Sequence, residues 1–152
     1  DRRPVSHDAR IISPFMWTSI IVTGTFFIIA GMLQISTGFL GGTTPDEINT
    51  VFFAAFILGA VWNGINCRAL DGKMPPFFRG NPTFFAVMGG VILMQILIVQ
   101  YGGVVFGTVP LSLDQWAKII VVSASVLIVG FVLRVSYRYM NAGKTENTIE
   151  ET

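Results

Sequence analysis

The side chains in this chain best able to do polar chemistry are amides set in apolar runs. Asn63 and Asn66, in "VWNGINCR", stand three residues apart and so share one helix face. Two roles are open to them. As ion-facing oxygens they would help to solvate a cation, whereas as interhelical hydrogen-bonding groups they would fasten one helix to its neighbour. Gln95 and Gln100, in "QILIVQYGGVVFGTVPLSLDQW", are five apart and point in different directions. That spacing favours helix packing over a shared site. Ser123 and Ser125, like Thr18, Ser19, Thr23 and Thr25, can return their hydroxyl bonds to the preceding helical turn.

Harder chemistry lacks its side chains. Apart from groups at the boundaries, the apolar runs hold no Asp, Glu, Lys, Arg or His. A proton relay or a divalent-ion site within a membrane normally needs carboxylates, because Ca²⁺ takes about six to eight hard oxygens, several of them charged. The one histidine, His7, lies in a charged N-terminal stretch and cannot by itself ligate a metal or haem. The one cysteine, Cys67, excludes an internal disulfide. No catalytic, cofactor-binding or metal-ligating residue is therefore expected. The basic residues are scattered among loops and form no stripe, so no nucleic-acid partner is expected either.

These amides have to be positioned by elements suited to lipid. Of 152 residues, 52% are apolar and 12% charged, and the mean hydropathy is +0.65. That leaves too little polar surface to cover a water-soluble globule. A bilayer core of about 30 Å takes about 20 apolar residues as helix. Four spans meet that length, at about 15–34, 48–67, 83–101 and 116–135. The last is adequate only with Trp116 at the interface and Lys118 snorkelling outward. "ISTGFLGGTTP" reads as an exit loop, and "GGVVFGTVPLS" as a loop containing the helix-stopping Pro110. Gly59, Gly64, Gly89 and Gly90 permit close backbone approach between helices. Phe77 and Phe78, after Pro75 and Pro76, suit the headgroup boundary.

The fold class is thus an all-α membrane protein, four transmembrane helices in a bundle within a single membrane domain, 1–152. Four spans put both ends on one side. Nine of the ten positive charges fall there: Arg2, Arg3 and Arg10, then Arg68, Lys73 and Arg79, then Arg134, Arg138 and Lys144. Only Lys118 is left for the other face, with Asp46, Glu47 and Asp114. The positive-inside bias makes both termini and the 68–79 loop cytoplasmic. The polar tail 140–152, "NAGKTENTIEET", lacks apolar periodicity and is expected to fray. The chain begins at Asp1 with no signal peptide before it, which is expected of a processed product or a piece of a longer protein.

The segment from Gln95 to Trp116 then takes on a family likeness. "QILIVQYGGVVFGTVPLSLDQW" resembles the last outward-facing hairpin of calcium-transporting P-type ATPases, closest to the plasma-membrane type. "NGINCR" followed by "FFRGNPTFF" is similar to that family's eighth span, cytoplasmic loop and ninth span, and "RRPVSHDARIIS" to its loop before the seventh. The resemblance runs in unbroken order from about Arg2 to Arg138. It implies the C-terminal membrane portion, spans seven to ten, of a ten-span pump that moves Ca²⁺ or a related cation such as Mn²⁺ at the expense of ATP.

Several expectations follow from the resemblance. The parent would use ATP, Mg²⁺ and the transported Ca²⁺, while this chain holds no cofactor. The sequence contains no "DKTGT", "TGE" or "GDGxND", so it carries none of the family's phosphorylation chemistry and is non-catalytic by itself. Most of the family's Ca²⁺ ligands come from its fourth, fifth and sixth spans. Some relatives add a polar or acidic residue three positions before the one matching Asn63, where this chain has Ala60. The partners implied are the lipid bilayer and the parent's remaining spans and cytoplasmic domains, in a plasma or inner membrane. Spans seven to ten would be a comparatively static support for the moving ones, with Gly102 and Gly103 ending the ninth helix and Asp114 at the N-terminus of the tenth. The acidic "ENTIEET" lacks the basic, apolar face of a calmodulin target, so no such site is expected. An autonomous four-helix membrane scaffold or subunit is the alternative. A channel built from copies of this chain is disfavoured by spans without charge to line a water path.

Overall fold

The computed structural model describes residues 14–67 and 82–150, with side chains described for 15–67 and 82–140. Four long helices and one short one follow in order: α1 Pro14–Thr37, α2 Pro45–Cys67, α3 Pro82–Tyr101, α4 Gly103–Phe106 and α5 Leu113–Glu150. There is no strand among the described residues. Four stretches are long and apolar enough to cross a membrane: Phe15–Thr37, Pro45–Cys67, Pro82–Tyr101 and Leu113–Met140. At a rise of about 1.5 Å per residue each exceeds or matches a bilayer core.

Local chemistry sets where these helices begin. α1, α2 and α3 each open on a proline, whose fixed φ suits the first helical position and whose missing N–H would have had no partner there. Two side-chain caps add to this. The Thr44 hydroxyl accepts from the Glu47 N–H at 3.3 Å, while the Glu47 carboxylate accepts from the Thr43 N–H at 2.7 Å. Ahead of α5, Ser112 Oγ accepts from the Gln115 N–H at 3.3 Å and Gln115 Oε1 accepts from the Ser112 N–H at 2.8 Å. Ser112-x-x-Gln115 is a capping box, whereas Glu47 reaches past the Thr44 cap to the Thr43 N–H; in both, a side-chain oxygen satisfies a donor that the helix start leaves open.

Three sequence expectations need correction. Ile35–Thr37 belong to α1 and not to the exit loop, because the Ser36 and Thr37 hydroxyls bond back to Leu33 O at 3.3 and 2.6 Å and let the last turn close. The tail was expected to fray from 140, yet α5 continues to Glu150. No proline follows Pro110, and lengthening an existing helix lacks the nucleation penalty of a new one. Trp116, expected at the interface, is instead buried at 9% exposure. Its ring packs among Leu40, Leu111 and Ile119, since α5 starts inside the bundle's apolar end. Lys118 is tied to Asp114 one turn back at 2.7 Å, with both side chains exposed.

α2 is the hub, packed against α1, α3 and α5, and its pairing with α5 is the most extensive. The two run in the same direction, with Thr50 beside Val109, Trp62 beside Ser123 and Asn66 beside Val126. α1 runs against them: the Phe52 ring covers Gly31, the Phe27 ring covers Gly59, and Phe15 stacks on Tyr137 with centroids 4.7 Å apart. A Cβ on Gly31 would fall 2.7 Å from Phe52, and one on Gly59 2.5 Å from Phe27, so ring-over-glycine contact sets how near these helices come. Gly64 meets Met88 of α3 in the same manner. Gly89 and Gly90, expected at an interface, have open space over them because α3 packs through its other face.

The buried apolar cluster is Leu40, Val51, Ala54, Leu58, Val99, Leu111, Trp116 and Ile119. All but Leu58, which lies just past the middle of α2, are in the half of the bundle that holds the α1–α2 and α3–α5 connections, here called the loop end. Arg2, Arg3, His7, Arg10, Arg68, Lys73, Phe77, Phe78 and Arg79 lie outside the described residues, as does the side chain of Lys144.

Candidate functional site

At the loop end, side-chain amides and hydroxyls take over the hydrogen bonds that the connections cannot make by themselves. Gln100, in the last turn of α3, forms a two-bond pair with Leu111: its Nε2 donates to Leu111 O at 3.0 Å and its Oε1 accepts from the Leu111 N–H at 3.1 Å. Gln34 repeats the device near the end of α1. Its Nε2 donates to Gly41 O at 3.1 Å, and its Oε1 accepts from the Leu40 N–H at 2.9 Å. Thr108 Oγ1 donates to Ile98 O at 3.0 Å, and Thr50 Oγ1 accepts from the Val109 N–H at 3.1 Å while donating to Asp46 O at 2.7 Å. Buried backbone groups must be paired, most of all where lipid replaces water. Each connection is therefore fixed to the helices beneath it.

At the other end, where α1 starts and α2 finishes, Asn66 is buried and fastens α2 to α5. Its Nδ2 donates to Val126 O at 2.8 Å, and its Oδ1 accepts from Arg134 Nη1 at 3.3 Å. The amide lies on bare backbone at Gly130, where a Cβ would collide with it. Asn63, one turn earlier on the same face, is half-buried and borders a cavity of about 430 Å³ between α1, α2 and α5. Ser19, Thr23, Asn66 and Arg134 line it as well. The two asparagines are brought to one cavity as their spacing implied, but only Asn66 makes a helix-to-helix bond.

Gln95 and Gln100 do point apart. Gln100 serves the loop, whereas Gln95 is 3% exposed and its Nε2 has no hydrogen-bond partner among the described residues. Ser123 and Ser125 bond back to Ile120 O and Val122 O, and Ser123 Oγ also accepts from Trp62 Nε1 at 3.1 Å. Gln34, Thr50 and Gly130 escaped the sequence reading, and Arg134 entered it only as one of the positive charges on the cytoplasmic side. Gln34 had a usable signal, since like Gln100 it ends an apolar span a few residues before a glycine pair. Gly130 carried none, because its role depends on which residue of α2 lies opposite.

The arrangement can hold helices and loops in place, and nothing in it activates a nucleophile. Among the described residues there is no group of three or more His, Cys, Asp or Glu able to hold a metal ion. Comparison with known proteins adds an independent line. Residues 1–135 match the family described as "Cation transporting ATPase, C-terminus". The chain is 29% identical over 140 residues to a probable plasma-membrane-type calcium-transporting ATPase of Oryza sativa, covering 88% of this chain and 14% of that protein. It is 31% identical over 146 residues to a plasma membrane calcium-transporting ATPase of Caenorhabditis elegans, covering 88% and 12%. It is 30% identical over 145 residues to plasma membrane calcium-transporting ATPase 3 of Homo sapiens, covering 87% and 12%. The chain thus spans 12–14% of the length of these curated relatives.

Proposed function

The chain belongs to the family of cation-transporting ATPase C-terminal segments, and from that premise we propose that it braces the membrane part of an ATP-driven Ca²⁺ pump. It is an integral, multi-pass membrane protein. In the proposed whole, nucleotide, Mg²⁺ and phosphorylation chemistry reside in parts of the parent beyond this sequence. The ligands of the transported ion reside there too. Termini face the cytoplasm, and the loop end faces outward. The observation that carries the reading is the fixed loop end, where Gln34 and Gln100 each take two backbone bonds from a connection that would otherwise be free to move.

A support of this kind has to resist displacement while neighbouring spans shift during alternating access. α2 and α5 supply the stiffness through their long shared interface and the buried core above it. α1 offers the opposite surface. Ile28 and Met32 are 64% and 67% exposed, so its outer face is free for lipid or for further spans of the parent.

The test uses the full-length protein that carries this segment. Replacing Gln34 and Gln100 with leucine should lower the thermal midpoint of the pump and leave the Ca²⁺ concentration for half-maximal ATPase activity unchanged. A shifted Ca²⁺ half-saturation at unchanged stability would overturn the bracing role and place these amides in ion handling.

A further inference from the structure

We propose that the cavity between α1, α2 and α5 is a binding site for an anionic phospholipid, with its phosphate on Arg134 and one acyl chain in the groove between α1 and α5. The first observation is electrostatic. Arg134 is half-buried, gives one Nη1 bond to Asn66 at 3.3 Å and leaves its buried Nε without a partner among the described residues. No carboxylate among the described residues pairs with it. A guanidinium drawn partly out of water without an anion is unfavourable, and its planar fork of N–H donors matches phosphate geometry.

The second observation is the shape and polarity of the space. At about 430 Å³ the cavity is far larger than the roughly 30 Å³ a water molecule occupies, and Ser19, Thr23 and Asn63 provide further polar groups around it. Phe15 and Met16 of α1 border it on a third side. The third observation separates a lipid from a free anion. An open, apolar groove of about 360 Å³ runs between α1 and α5 past Val22, Phe26, Ile128 and Val132. Leu133 lines both spaces. A headgroup phosphate joined to acyl chains fills both, whereas inorganic phosphate would leave the groove bare. The site rests on the orientation proposed above, which puts Arg134 at the cytoplasmic leaflet, where anionic lipids concentrate.

The experiment is native mass spectrometry of the full-length protein released from phosphatidylcholine nanodiscs with phosphatidylserine added. Wild type should retain one phosphatidylserine that Arg134→Gln loses by about tenfold, the loss expected for one charge-assisted pair. Arg138→Gln removes the same charge from an exposed position one turn on and should retain the lipid. Val132→Trp fills the groove from its exposed side without touching Arg134, so it should also reduce retention at unchanged thermal midpoint, which guards against a misfolded Arg134 variant. Equal retention by wild type and Arg134→Gln would overturn the proposal, as would displacement of the lipid by inorganic phosphate alone. Arg134 found paired with a carboxylate from elsewhere in the parent, with no lipid retained, would overturn it too. Supplying phosphatidylserine to one leaflet of sealed vesicles tests orientation separately: retention from the leaflet opposite the ATP-binding side would reverse the topology and leave the Arg134 dependence intact.

Discussion

Gly130→Ala should be destabilising, and Asn66→Ala should rescue it. A Cβ at position 130 would lie 2.5 Å from Asn66 Nδ2 and nearer still to its Cγ and Oδ1. Either the Asn66 amide or the α2–α5 spacing must then give way, an overpacking that typically costs about 1–3 kcal/mol. Gain of helix propensity offsets up to about 1 kcal/mol of that. Asn66→Ala alone removes the bond to Val126 O and the acceptor for Arg134, and interhelical bonds in lipid are worth about 0.6 kcal/mol on average and about 1.7 at most. In the double variant the collision is gone and the alanine methyl occupies part of the space the amide leaves. The two single losses, about 2 and about 1 kcal/mol, should therefore collapse to about 1 in combination, a coupling of about 2 kcal/mol. The assay is equilibrium unfolding of all four full-length proteins in bicelles, read by steric trapping. Effects that add to within about 0.5 kcal/mol would refute the reasoning, because they would mean that residues 66 and 130 do not touch.

Two further outcomes are expected. Gln95→Leu should leave stability unchanged or raise it by about 1 kcal/mol, since a buried donor without a partner carries its desolvation penalty uncompensated. The same unfolding assay checks it, and a clear loss would show that the amide finds its partner in another part of the parent. In a background where Cys67 is replaced by serine, cysteines at Asp46 and Asp114 should react with an impermeant maleimide on intact cells, and one at Arg138 only after permeabilisation. Positions 46 and 138 labelling from the same side would break the proposed topology.

How much of this was legible in the residues depended on the range of the interaction concerned. The spans came from runs without charge, because a bilayer imposes a length and a composition that any single stretch reveals. The start of α5 was placed about three residues late, at 116 and not Leu113, although Ser-Leu-Asp-Gln carries its own cap. The end of α5 was not legible. "NAGKTENTIEET" reads as polar and aperiodic, yet helix extension from a long, well-formed span overrides weak local preference. Trp116 was misjudged for a related reason: its interfacial preference is a tendency of the isolated side chain, and the Leu40 and Leu111 connections cover it. Gly89 and Gly90 look like packing glycines, and only the face that α3 presents to α2 decides that they are not. Pairings such as Asn66 with Gly130, 64 residues on, leave no local trace at all.

The contrast between the two ends ties the bracing role to the proposed lipid. At the loop end, Gln95 apart, the polar groups are consumed internally: Gln34, Gln100, Thr50 and Thr108 each bond to the backbone of the connections or of the helix ends. At the other end the inventory does not close. Asn66 satisfies Val126, but Arg134 keeps a buried donor unmatched beside a cavity that nothing in the described chain fills. Rigidity alone does not call for a guanidinium there, since a donor drawn out of water without an acceptor carries an uncompensated desolvation penalty. Keeping it makes sense if an anion completes the packing of α1 against α5, where the contact between the two helices is otherwise sparse. The stiffness of that end would then depend on leaflet composition, whereas the loop end would be stiff in any bilayer.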